Sequence, residues 1–144
     1  SETLQNLVFG GYNKRVEHPR TEYDWLTRDA KEVDAYIAHP SCGFMATTGL
    51  LRDMLTGIQF IERKENLAKM NKDLPVLFIA GGDDPVGAYG KGVLRAAEEF
   101  RKAGMKDVEK RIFPLGRHEI LNEINRQEIY EFTSNWMDRQ VEKK

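Results

Sequence analysis

Asp83, Asp84 and His118 are the residues of this chain whose types and setting point most directly to chemistry. The aspartates follow the apolar run Val76-Leu77-Phe78-Ile79-Ala80 and the pair Gly81-Gly82, and Pro85-Val86-Gly87 comes after them. His118 follows a second apolar stretch, Val108 to Phe113. A carboxylate that accepts from a histidine Nδ1–H fixes the tautomer and stabilises the imidazolium formed during acyl transfer. Acid and histidine are two members of a nucleophile–histidine–acid triad. The third is missing: no Gly-x-Ser-x-Gly occurs, and the serines are Ser1, Ser41 and Ser134. The residues therefore read as the acid and base of a serine hydrolase, cut off from its nucleophile. Taken singly, an Asp in Asp-Asp-Pro is a turn or helix-start residue accepting backbone N–H bonds, and His118 a solvated or capping histidine. Their order and spacing favour the paired reading.

These side chains need elements that bring them together. Val76 to Ala80 is uninterrupted and apolar, the mark of a strand covered on both faces. Tyr89 to Ala103 has helical spacing, with Val93, Leu94, Ala97 and Phe100 on one face and Gly104 placed as C-cap. Val108 to Phe113 is a second strand, with Lys110 and Arg111 marking an exposed side or an edge. Ile120 to Val141 is a final helix whose face is Ile124, Ile129, Phe132, Trp136 and Met137. Strand–helix–strand order makes the strands parallel. Functional groups then collect beyond their carboxyl ends, where Asp83, Asp84 and His118 fall.

Residues 1 to about 70 have a different pattern, with no clear strand after Leu7-Val8-Phe9-Gly10-Gly11. One helix opens at Thr27 or Asp29, with Glu32 in capping-box spacing from Asp29. Its face is Val33, Tyr36 and Ile37, and Pro40 closes it. A second runs from about Thr47 to Ile61, with Leu50, Leu51, Met54, Leu55, Ile58 and Ile61 at three-to-four spacing. A short charged third spans Glu62 to Met70. The division is thus 1–70 and 71–144.

Composition bounds the rest. The 144 residues suffice for one core, and 40% hydrophobic with 31% charged residues indicates a globular chain. A net charge of -1 offers no electrostatic case for nucleic acid or an anionic membrane surface. No apolar run approaches the roughly 20 residues that span a bilayer, and the amino terminus lacks the pattern of a signal peptide. The lone cysteine, Cys42, excludes an internal disulfide framework. The expected location is cytoplasmic.

The chain resembles the α/β-hydrolase superfamily, in its monoacylglycerol lipase, lysophospholipase and serine-aminopeptidase-like branch. Leu74 to Gly81 followed by Asp84-Pro85-Val86 is similar to that family's acid strand and loop. Gly116-Arg117-His118-Glu119-Ile120-Leu121-Asn122-Glu123 is similar to its histidine loop. Trp25-Leu26-Thr27-Arg28-Asp29, with Val33 and Tyr36, resembles its cap, and Phe9-Gly10-Gly11-Tyr12-Asn13 the cap of bacterial members. His39-Pro40 stands where the family often has Asp-Pro.

The resemblance implies an α/β fold: the last two parallel strands and helices of the hydrolase sheet, plus a helical cap over 1–70. It implies Asp84 as acid, since the family's acid sits two residues before the hydrophobic position filled by Val86, with Asp83 as the competing register. It implies His118 as base. The reaction is hydrolysis of carboxylic esters, lipid-like acyl esters foremost, without a cofactor. The nucleophile elbow and oxyanion loop would lie before Ser1, so this chain alone is expected to be inactive and, with an uncovered strand edge, to self-associate.

Phe44, Met45, Met54 and Val86 are candidate substrate contacts, or ordinary packing residues. Cys42 reads as a loop cysteine rather than a nucleophile. His18 and His39 have no third metal ligand at usable spacing. Gly10-Gly11 and Gly81-Gly82 are not phosphate loops, the second leading into two carboxylates. Two rival readings are a binding module whose Asp–His pair is idle and a small doubly wound domain that binds a ligand without covalent chemistry.

Overall fold

A computed structural model describes residues 9–143. Its centre is a parallel pair of strands, β1 (Val76–Gly81) and β2 (Val108–Phe113), in register from Val76↔Val108 to Gly81↔Phe113. The second strand spans the expected residues, and β1 runs one residue further than expected. The connection between them is a helix, Lys91–Lys102.

Alternation along β1 sends side chains to both faces, and each face has its own apolar cluster. Val76 and Phe78 join Ala97, Phe100, Met105 and Val108 on the side of the Lys91–Lys102 helix. Ile79 joins Phe113, Ile120, Ile129 and Phe132 on the side of the carboxyl-terminal helix, Arg126–Glu142. The sheet is thus sandwiched, which is why its first strand is apolar without a break. Gly104, at φ 95°, ends the connecting helix in the left-handed conformation, and the Met105 amide reaches back to the Phe100 carbonyl at 3.1 Å. Lys110 and Arg111 are exposed on β2.

Numbered in chain order, the helices are α1 (Ala30–Ala38), α2 (Thr48–Ile61), α3 (Lys64–Ala68), α4 (Lys91–Lys102) and α5 (Arg126–Glu142). Asp29, not Thr27, caps α1: its Oδ1 accepts from the Lys31 amide at 3.0 Å. Thr47 caps α2 through the Leu50 amide at 3.1 Å.

Three expectations need correction. The charged third helix shrinks to Lys64–Ala68. The final helix does not begin at Ile120. Ile120–Asn122 is one 3-10 turn, Glu123 is extended at ψ 160°, and α5 starts at Arg126. The cause of the break is the Glu123 carboxylate, drawn inward onto partners described below, which leaves the adjacent Ile124 62% exposed; Met137 is 51% exposed instead of facing the core. The apolar faces of α1 and α2 are also less buried than their spacing implied. Val33 is buried but Ile37 is exposed, and of the α2 face Leu51 alone is buried.

Candidate active site

The exit loops of β1 and β2 are stitched together by main-chain hydrogen bonds. Gly82 N donates to Phe113 O and Asp83 N to Gly116 O, each at 2.8 Å. At the crossing, a Cβ on Gly81 would lie 2.1 Å from the Gly116 carbonyl oxygen and 2.3 Å from that of Arg117. Only glycine fits there. The second member of Gly81-Gly82 then turns the chain into the two aspartates.

Asp84 is buried and His118 lies opposite it. The Asp84 Oδ1 atom is 3.1 Å from His118 Nδ1 and accepts from the Val86 amide at 2.8 Å. Turn residue and histidine partner, alternatives in the sequence, are therefore one and the same carboxylate. Asp83 makes no hydrogen bond to the imidazole. With Nδ1–H donated to Asp84, a neutral imidazole leaves Nε2 as its free acceptor. The hydrogen bond from Asp84 raises the His118 pKa above its ordinary value; burial opposes this, and the charges of Asp84 and Glu119 reinforce it.

The histidine loop rests on a segment about ninety residues earlier in the chain. His118 N donates to Trp25 O at 3.3 Å, and Glu119 N to Leu26 O at 2.7 Å. Arg117 Nη1 donates to the carbonyls of Asp24 (2.6 Å) and Thr27 (3.1 Å), and the Thr27 hydroxyl to Asn122 O at 2.9 Å. Glu123, with no exposed surface, locks the arrangement: it accepts from Arg117 N and Arg28 Nε, both at 2.8 Å, and from Arg28 N at 3.3 Å. Asp29, besides capping α1, pairs with Arg126 at 3.0 Å. That contact, with the Lys31 amide, lowers the Asp29 pKa. Asp24 is buried; burial pushes its pKa up, but the Thr21 hydroxyl and the Arg20 and Thr21 amides outweigh this and the net shift is downward.

Against the imidazole lies the Trp25 indole, ring centroids 5.3 Å apart. Trp25 in turn lines a cleft of about 560 Å3 with Tyr23, Tyr36, Cys42, Phe44, Leu51 and Met54 among its walls. Of the four candidate contacts, Phe44 and Met54 border this cleft. Met45 and Val86 do not, and are 52% and 51% exposed. Cys42 is half-buried in the cleft wall, and His39 Nδ1 accepts from the Ser41 amide at 3.2 Å. No serine is a hydrogen-bond partner of His118 among the described residues; Ser41 and Ser134 are exposed.

Nothing in the sequence alone assigns a site role to Trp25, Arg28, Arg117 or Glu123. A signal was present: two arginines and a glutamate flanking short apolar segments that resemble one family's cap and histidine loop.

No curated protein matches the chain. Among solved structures, a highly thermostable carboxyl esterase from Bacillus coagulans in complex with glycerol is similar at TM-score 0.80 and 27% identity, over 96% of this chain and 45% of the esterase. A lipase in its open form is similar at TM-score 0.75 and 29% identity, again over 96% of this chain and 45% of the lipase. The chain thus spans less than half the length of either. Residues 3–125 match the hydrolase family model described as serine aminopeptidase, S33. With that match over most of its length, the chain belongs to the serine aminopeptidase S33 family of α/β hydrolases.

Proposed function

We propose that this chain is the carboxyl-terminal part of a serine hydrolase of carboxylic esters, lipid-like acyl esters foremost, in which Asp84 and His118 are the triad acid and base. Residues 1–70 form its helical cap and 71–144 the end of its core. The observation that carries this is the 3.1 Å contact between buried Asp84 and His118 Nδ1 at the ends of neighbouring parallel strands. The family and the esterase and lipase likenesses support it.

In this reading the serine comes from a segment outside the chain. His118 Nε2 takes the hydroxyl proton as the serine oxygen bonds to the ester carbonyl carbon. The carbon–oxygen bond to the alcohol breaks, and His118 returns the proton to the departing alcohol. Water then attacks the acyl-enzyme, again losing its proton to Nε2, and the carboxylic acid leaves with the serine restored. Asp84 stays ionised and stabilises the imidazolium. No cofactor enters. The cleft walled by Phe44 and Met54 takes the apolar acyl chain and shields it from water. Val86 contributes through the amide that orients Asp84, whereas Met45 adjoins Phe44 in sequence but lies outside the cleft wall. The unpaired Cys42 suits a reducing, cytoplasmic setting.

A fluorophosphonate probe tests this. The present chain should stay unlabelled, and a polypeptide extended upstream in the same reading frame should label at one serine. His118→Ala in the extended form should cut labelling on the order of 10^3-fold or more. Labelling of the short chain, or indifference of the long one to His118→Ala, would refute it.

A further inference from the structure

We propose that Trp25 is a positioning residue for His118, its indole serving as the platform that keeps the imidazole turned toward Asp84. The inference rests on the reading of His118 as the base. One hydrogen bond to Asp84 leaves the ring free to pivot, because a histidine χ2 is a broad torsion with two roughly equivalent settings. A flat partner against the ring confines its plane, and the Asp84 hydrogen bond then selects one of the two settings within that plane.

Trp25 meets this requirement twice over. Its carbonyl holds the His118 main chain at 3.3 Å, and its indole sits 5.3 Å from the imidazole centroid at a tilt of 44°. Trp25 is itself only 9% exposed. Tyr12 packs edge-on to the indole at 4.8 Å, and Phe9 edge-on to Tyr12 at 5.4 Å, so Trp25 is held within an aromatic cluster. An indole face within about 6 Å also favours a cation, which the imidazole becomes when it holds the transferred proton.

The other groups facing His118 are accounted for. Asp84 comes from the β1 exit loop and Glu119 from the histidine's own loop. Tyr12 lies across Trp25, and burial and the Asp84 charge keep its hydroxyl protonated. Arg117 turns away onto the Asp24 and Thr27 carbonyls. None of these offers a flat face to the ring. Because the same indole lines the cleft, the wall a ligand would touch is also the support of the base.

The test is the imidazole nitrogen-15 spectrum of this chain with His18→Gln and His39→Gln, leaving His118 as its one histidine, at a pH where that ring is neutral. The expected pattern is a single Nδ1–H tautomer. Trp25→Leu should lose it to the mixed pattern of a free imidazole, and Trp25→Phe should retain it. An unchanged Nδ1–H pattern in Trp25→Leu overturns the proposal. Should that variant not fold, cross-relaxation between the Trp25 indole and His118 ring protons in the parent sequence decides instead, its presence supporting and its absence refuting the platform. The spectrum is read on a chain that needs no serine, so its outcome is separate from that of the probe-labelling experiment.

Discussion

Glu123 and Arg28, ninety-five residues apart, form an ion pair of 2.8 Å in which the carboxylate has no exposed surface. Removing one member of a buried pair leaves the other uncompensated, at about 3–5 kcal/mol. Arg28 retains 22% side-chain exposure, which places Glu123→Ala near the lower end of that range. Glu123→Gln can still accept from the Arg117 amide and should cost less. Urea unfolding midpoints of the two variants check the order. A Glu123→Ala midpoint equal to that of the parent would mean that the strap between Trp25–Asp29 and the histidine loop is not holding the fold.

Two glycines should respond in opposite directions. Gly81→Ala forces a methyl group to within 2.1 Å of the Gly116 carbonyl oxygen, so strands and histidine loop must part. Overpacking of this kind costs about 1–3 kcal/mol or more. Gly57, inside α2, has nothing within 4 Å of its added Cβ, and Gly57→Ala should stabilise by up to about 1 kcal/mol through helix propensity. Thermal melts of the pair would show both signs. A harmless Gly81→Ala would refute the close crossing.

The His118–Asp84 contact has a definite pH signature. Asp84 raises the His118 pKa above 6.5, so the folded state binds this proton more tightly than the unfolded chain does. The resulting stabilisation is fully present below about pH 6.5 and fades as the pH rises through the folded-state value. With the imidazole 37% exposed, solvent screening keeps the effect small. Asp84→Asn should lower the His118 titration midpoint, followed by its ring-proton shifts. It should also narrow the stability difference between acidic and alkaline sides. An unmoved midpoint would show that the pair does not form in solution.

The isolated chain should self-associate. Leu50, Met54, Leu55, Ile58 and Ile61 of α2 are 41–61% exposed, and β1 pairs on one edge only among the described residues. An apolar surface of this extent beside an open strand edge favours association. Light scattering at micromolar concentration should give a dimer or larger. Leu55→Glu with Ile58→Glu should shift the population toward monomer, and a clean parent monomer would contradict the expectation.

The parts of this architecture written into neighbouring residues were legible in the sequence. Val108–Phe113 could be read as a strand because its apolar ends and charged middle are local, and the Asp29 and Thr47 caps because a cap acts within three residues. Strand order brought Asp83, Asp84 and His118 to neighbouring exits, since parallel strands end side by side, and the choice of Asp84 over Asp83 came from the family resemblance. The break at Glu123 was not legible, because its cause, Arg28, is remote in the chain and only folding reveals it. Nor was the bareness of α2, since apolar spacing states that a face can be covered and not what covers it. The Trp25 platform fell into the same gap, a ring-on-ring contact between segments that sequence could liken to a family but not lay side by side.

Helix α2 buries only Leu51 of its own residues, while Phe44 and Met54 border the cleft from its approach and its exposed side. The strap of Arg28, Arg117 and Glu123 and the crossing at Gly81 lie elsewhere and tolerate little. Mutational drift therefore meets two unequal terrains in one short chain. Most α2 positions can be rewritten at small cost in stability, reshaping the cleft, while the parts that seat His118 resist change. Descendants of such a fold would diverge first in what they admit and last in how the histidine is held, and a library confined to 44–61 would sample that divergence without disturbing the loop.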